Sequence, residues 1–173
     1  MVQGWGSNNT RVLTYISPFF SDPSNFSHPS NNFYQQGIDN GYFVKRADGT
    51  AYLIQSLSIT FAMLDPTNPQ AVEWMKNMIV DETLVAAGSS GFMCDFGEYL
   101  PFDSVLFSGE DPASFHNKFP EFWAKIAHDA VAQAGRLDDV VFFMRSSWTK
   151  SPASTPLFWL GDQVICVLWN RVQ

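Results

Sequence analysis

The segment GFMCDFGEYLP, Gly91 to Pro101, drives an apolar run straight into Asp95 and places Glu98 just beyond it. Three other ionisable residues follow apolar runs in the same way: Asp65 after SITFAML, Arg145 after DVVFFM and Asp162 after TPLFWLG. Singly, such residues are often only turn formers or helix caps, and Asp65 before Pro66 or Asp162 in a Gly-Asp pair would suit that role. Together they suggest chemistry. Two carboxyl groups on strand ends two strands apart can face each other across one cavity. One then serves as nucleophile or base and the other, protonated, as acid, which is the pairing that glycoside hydrolysis needs. An always-charged planar fork such as Arg145 suits fixing vicinal hydroxyls and holding a neighbouring aspartate ionised. Phe96 and Trp159 could stack on a sugar face or simply fill core. The histidines, His28, His116 and His128, lack metal-ligand spacing, and His116 is expected to anchor the loop that follows Asp95.

The elements that would position these residues can be read from periodicity. RVLTYIS, Arg11 to Ser17, reads as a strand ended by Pro18. Residues 20–40, crowded with Ser, Asn, Pro, Asp and Gly, read as a surface loop. Asp48-Gly49 marks a hairpin between two β-rich runs, and SITFAML is a further strand. From Pro69 the period changes to that of an amphipathic helix, with Ala71, Trp74, Met75, Met78 and Ile79 in phase, Asn68 as N-cap and Gly88 as the stop. The Asp95 strand follows, then a long loop. A second helix covers about Phe119 to Ala134, with Phe122, Ile126, Ala127 and Ala130 on one face. DVVFFMRS and TPLFWLGDQ complete the order as strands. Such alternation, with strands apolar on both faces, belongs to a parallel sheet covered by helices. No Gly-x-Gly-x-x-Gly follows a strand, which disfavours a dinucleotide-binding sheet. Ionisable residues at successive strand ends favour a β/α barrel, where those ends converge on one face.

The composition narrows the partners. With 173 residues and a net charge of −7, and no cluster of Lys or Arg, the chain would be repelled by nucleic acid and by anionic membrane surfaces. Aromatic residues make up 16% of the chain, which predicts a large core and suits a neutral, polyhydroxylated ligand. No apolar run is long enough to span a bilayer. Cys94 and Cys166 are too few for a disulfide framework, and two reduced, buried thiols are expected. The N-terminal MVQGWGSNNT has no signal-peptide pattern, and the sequons at Asn8 and Asn25 assign no compartment.

GFMCDFGEYLP, VVFFMRSSWT and FWLGDQ together resemble glycoside hydrolase family 31. Within it, DFGEYLP is similar to the α-sulfoquinovosidases rather than to the Asp-Met-Asn-Glu form of the α-glucosidases. VLTYISPFF, GYFVKRADGTAYL, DPTNPQAVEW and HNKFPEFWAK resemble the same subfamily in order and spacing. The resemblance implies a (β/α)8 TIM barrel of which this chain holds about strands 3 to 6, as one piece of a single catalytic domain spanning 1–173, with residues 20–55 as a loop and hairpin insertion. It implies that Asp95 is the nucleophile, Asp162 the general acid/base, Arg145 a ligand of sugar hydroxyls and Glu98 a support for the loop and its charge. The reaction implied is retaining hydrolysis of an α-sulfoquinovoside, or of an α-glucoside on the alternative reading. No metal or cofactor is required. The C-terminal VICVLWNRVQ does not resemble the family, and the subfamily's sulfonate-binding residues are expected outside this sequence. A non-catalytic, truncated product is therefore a third expectation.

Overall fold

The computed structural model describes residues 9–23, 31–56 and 59–161. In chain order its elements are β1 (Leu13–Ile16), β2 (Phe19–Ser21), α1 (Phe33–Asn40), β3 (Leu53–Ser56), β4 (Ile59–Met63), α2 (Pro69–Met78), β5 (Gly91–Cys94), α3 (Pro112–Phe115), α4 (Phe119–Gln133), β6 (Val141–Met144) and β7 (Leu157–Phe158). The four runs without helical periodicity at β1, β5, β6 and β7 lie side by side, in that order, as a parallel sheet. The register is even. Ile16 pairs with Cys94 and Cys94 with Met144, so the three strand tips end level with one another.

One face of the sheet is the protein core. Phe92, Cys94, Phe142 and Met144 are buried against the helices, and Phe92 stacks on Phe142 at 5.4 Å between ring centroids. The opposite face is open: Leu13, Tyr15, Val141 and Leu157 are all exposed there. Because side chains alternate along a strand, the odd-numbered positions of β1, β5 and β6 share this open face. Asp95 and Arg145, one step past their strands, continue the same phase. The expectation of an α/β unit with a parallel sheet therefore holds.

Helix α2 begins as its sequence requires. Asn68 accepts from the Gln70 and Ala71 N–H groups, and Pro69 occupies the first turn, where its missing N–H costs nothing. Ala71 and Met75 face the core. The helix then continues through Ile79–Ala86 with wider π winding, closed by Ala87 N–H on the Glu82 carbonyl at 3.0 Å and by Gly88 in the left-handed region. Ile79, Val80, Thr83 and Val85 are β-branched and weaken the preference for α winding in this stretch. Helix α4 buries Trp123 completely, while Phe122 is 40% exposed. That corrects the expectation of Phe122 on the inner face. The indole of Trp123 takes that place because its N–H donates to the Asp95 carbonyl at 3.2 Å.

Three other expectations change. Residues 20–40 are not all loop, since β2 and α1 form there; Asn32 caps α1 by accepting from the Gln35 N–H at 2.9 Å. The Asp48-Gly49 turn forms, with Arg46 N–H on the Thr50 carbonyl at 2.8 Å. The runs on either side pair only at the single bridge Lys45–Ala51. The first run instead gives its N–H groups to Met63 and Val105, through Val44 and Lys45, and the second becomes β3 of a small antiparallel sheet ordered β2-β4-β3. SITFAML thus belongs to that second sheet and not to the parallel one.

Candidate active site

The level strand tips decide what meets what. Asp95 N–H donates to the Ile16 carbonyl at 2.9 Å, Arg145 N–H to the Cys94 carbonyl at 3.2 Å and Trp159 N–H to the Met144 carbonyl at 3.1 Å. Asp95 and Arg145 are thereby neighbours on one face, and Arg145 Nη1 lies 3.3 Å from Asp95 Oδ1. On the other side, Tyr15 of β1 donates its hydroxyl to Asp95 Oδ2 at 2.8 Å. Asp95 is only 8% exposed. A carboxylate that deep persists because it is paired and hydrogen-bonded.

Arg145 serves two acids. Its Nε donates to Glu98 Oε1 at 2.8 Å, its Nη2 meets the same oxygen, and its guanidinium carbon sits 4.2 Å from the centroid of the Phe96 ring. Burial opposes the Arg145 charge, but the hydrogen bond and charge of Glu98 and the charge of Asp95 outweigh it and raise its pKa. Burial, the hydrogen bond to Asp95 and the charge of Asp95 together push the Tyr15 phenol far above its ordinary range, so it stays a proton donor at neutral pH. Tyr15 was missed in the sequence. The usable signal was its phase, since it shares a face with Ser17 just past the tip of β1, as Met93 does with Asp95.

The turn after β5 is unusual backbone. Phe96, a non-glycine residue, has φ 61°, and Gly97 follows at φ 119°. Ser146 closes the turn by donating to the Phe96 carbonyl at 2.7 Å. A Cβ on Gly97 would stand 2.4 Å from Ser146 Oγ and would occupy backbone that side chains rarely adopt. Gly97→Ala is therefore expected to destabilise the fold by about 1–3 kcal/mol, measured by urea unfolding. A change below about 0.5 kcal/mol, within the ordinary range for surface substitutions, would show that the turn relaxes freely.

The remaining sequence candidates separate clearly. Phe96 packs under Arg145 and against Phe19 at 4.6 Å. Trp159 stands edge-on to Phe143 at 5.5 Å on the open face. Asp65, expected at the same cavity as Asp95, lies elsewhere: it ends β4 in the antiparallel sheet and accepts from Thr67 N–H and Phe107 N–H. Its role is to tie two loops together. His116 Nδ1 lies 2.6 Å from the Leu100 carbonyl and its ring stacks on Phe102, so it fastens the loop after Asp95 as expected. Cys94 is a buried free thiol whose pKa burial pushes well up. Asp162, Cys166, His28 and Asn25 lie outside the described residues. At Gly161, the last described residue, an added Cβ would stand 3.5 Å from Cγ of Arg145. Among the described residues no cluster of His, Cys, Asp and Glu could hold a metal ion.

Residues 1–172 match the profile of the glycosyl hydrolases family 31 TIM-barrel domain. The chain belongs to glycoside hydrolase family 31. Among curated relatives, a sulfoquinovosidase of Agrobacterium fabrum is 38% identical over 90% of this chain and 22% of its own length. A sulfoquinovosidase of Escherichia coli is 32% identical over 94% of this chain and 23% of its own length. A solved family 31 sulfoquinovosidase from E. rectale, in complex with the aza-sugar inhibitor IFGSQ, superposes with a TM-score of 0.85 at 37% identity, over 94% of this chain and 23% of that one. The chain thus spans about a quarter of the length of the family 31 relatives it matches.

Proposed function

We propose that the full-length protein containing this chain is a retaining α-glycosidase that releases sulfoquinovose from α-sulfoquinovosides. The observation that carries the reading is Asp95: a buried carboxylate at a strand tip, oriented by Tyr15 and Arg145 and turned toward the open face of the sheet. The likeness to two sulfoquinovosidases at 32% and 38% identity supports the substrate. Asp95 attacks the anomeric carbon while Asp162, which follows Gly161 in sequence, protonates the departing glycosidic oxygen. Asp162 then takes a proton from the water that releases the sugar. This double displacement requires the two carboxyl groups about 5 Å apart, against roughly 6.5–9.5 Å for inversion. Arg145 binds sugar hydroxyls. Glu98 holds the Arg145 fork and so fixes its plane.

On this reading the chain is part of a larger catalytic barrel, and the 173-residue chain alone has no useful turnover. The support is physical. Among the described residues β1 and β7 each keep one unpaired edge, and the open face leaves Leu13, Tyr15, Val141 and Leu157 in water, an arrangement that a closed barrel removes. The test compares p-nitrophenyl α-sulfoquinovoside, α-glucoside and α-xyloside as substrates of the full-length protein. A preference for the sulfoquinovoside is expected, and a clear preference for either of the others rejects the substrate. Hydrolysis by the purified 173-residue chain, abolished by Asp95→Asn, would overturn the claim that it is inactive alone.

A further inference from the structure

The two oxygens of Asp95 are held differently. Oδ1 accepts from the Phe96 backbone N–H at 3.0 Å and faces Arg145 Nη1 at 3.3 Å. Oδ2 accepts from the Tyr15 hydroxyl at 2.8 Å. An ionised carboxylate offers about two lone-pair sites on each oxygen. Among the described residues Oδ1 thus faces a backbone donor and the guanidinium charge, whereas Oδ2 faces Tyr15 alone and is the freer oxygen for a further bond. Tyr15 itself rises from β1 on the open face and is 53% exposed, so its hydroxyl approaches Asp95 from the side a sugar would occupy.

Resting on the reading of Asp95 as the nucleophile, we propose that Oδ2 is the attacking atom and that Tyr15 is the positioning residue that aims it and favours its later departure. In the first step a lone pair of Oδ2 bonds to the anomeric carbon. The glycosidic C–O bond breaks, and its electron pair leaves with the aglycone oxygen, which takes a proton from the general acid. Negative charge drains from Oδ2, so the Tyr15 hydrogen bond weakens toward this transition state. In the second step a water oxygen bonds to the anomeric carbon, its proton goes to the general base, and the electron pair of the ester C–O bond returns to Oδ2. Charge now grows on Oδ2 and the same hydrogen bond strengthens. Only an interaction that is stronger in a transition state than in the state before it accelerates that step. Tyr15 therefore acts chiefly on the breakdown of the glycosyl-enzyme.

The experiment is Tyr15→Phe in the full-length protein, which removes one oxygen from a half-exposed ring and leaves the core untouched. With a dinitrophenyl α-glycoside, whose good leaving group makes the first step fast, the second step is expected to slow about 10- to 100-fold, the range for losing a hydrogen bond to a charged group. Stopped-flow traces then show a burst of dinitrophenolate, KM falls with kcat, and intact-mass spectra show a glycosyl adduct that maps to the Asp95 peptide. The melting temperature stays at the parent value. A merely structural role would lower both steps alike without adduct, and that result, or unchanged kinetics, overturns the inference. Asp95→Asn in the same assay separates the two levels. If it retains turnover, the nucleophile reading itself fails; if it is inactive and Tyr15→Phe shows no burst, only the role of Tyr15 fails.

Discussion

Asp95→Asn in the full-length protein is expected to lower kcat by about 10⁴-fold or more, the scale seen when a covalent nucleophile is removed. The substitution keeps the shape of the side chain, and its amide oxygen still accepts from Tyr15, so the loss is chemical and not structural. What disappears is the negative charge that, on the proposed mechanism, would attack carbon, and that faces Arg145 Nη1 at 3.3 Å. Arg145 remains bound to Glu98, which keeps its fork in place. Thermal melting should therefore move by only a few degrees. A shortened variant, Asp95→Gly, adds a positive signature: azide entering the vacated space should restore release of an activated aglycone and yield a glycosyl azide of inverted configuration. Retention of more than about a hundredth of parent kcat by Asp95→Asn, well above the residual activity left by loss of a nucleophile, would exclude Asp95 as the nucleophile.

The second large effect belongs to Arg145→Lys. Charge is conserved, so a site that needed only a positive potential would tolerate it. The geometry asks for more. Three different parts of the side chain are in use: Nε and Nη2 on Glu98, Nη1 toward Asp95, and the flat carbon over Phe96. A single ammonium cannot serve both acids and stack as well. The expected outcome is a fall in kcat/KM of about 10²- to 10³-fold, because a carboxylate displaced by even 1 Å loses its line of attack. Stability should fall by only about 1–2 kcal/mol, since Glu98 is 39% exposed on its side chain and solvent discounts the pair. Steady-state kinetics and urea unfolding of the same preparation check both numbers. If Lys supports full kcat/KM, the fork has no function.

Much of this arrangement was legible in the chain, for identifiable reasons. Strand tips announce themselves where an apolar run stops at a charge, and this placed Asp95 and Arg145 side by side once parallel pairing was assumed. Helix ends were readable from Asn68, Pro69 and Gly88, whose effects are local. Asp65 carried the same signature as Asp95 and was misplaced with it, because pattern alone does not tell which sheet a strand joins. That choice was made by Val44 and the loop at Phe107, distant partners that take up backbone and carboxylate bonds. Tyr15 escaped for the opposite reason. It sits inside a strand, where an aromatic residue looks like ordinary β sequence, and its value appears only when the β1–β5 register sets it diagonally beside Asp95. Phe122 was placed inward although Trp123 fits the three-and-four spacing of Ile126, Ala127 and Ala130 better, and the indole also satisfies the Asp95 carbonyl.

The left-handed backbone at Phe96 has a consequence for anyone who would engineer this protein. A phenylalanine held at φ 61° sits in a conformation that glycine would adopt with less strain, roughly 1–2 kcal/mol less by the usual penalty. Yet its ring is the cushion on which the guanidinium rests. A glycine here would relieve that strain but forfeit the cushion and the packing of the ring on Phe19 and Tyr99, so any replacement at 96 trades backbone strain against contacts of similar size. Libraries that include this codon need sorting on turnover first and on thermal endurance second.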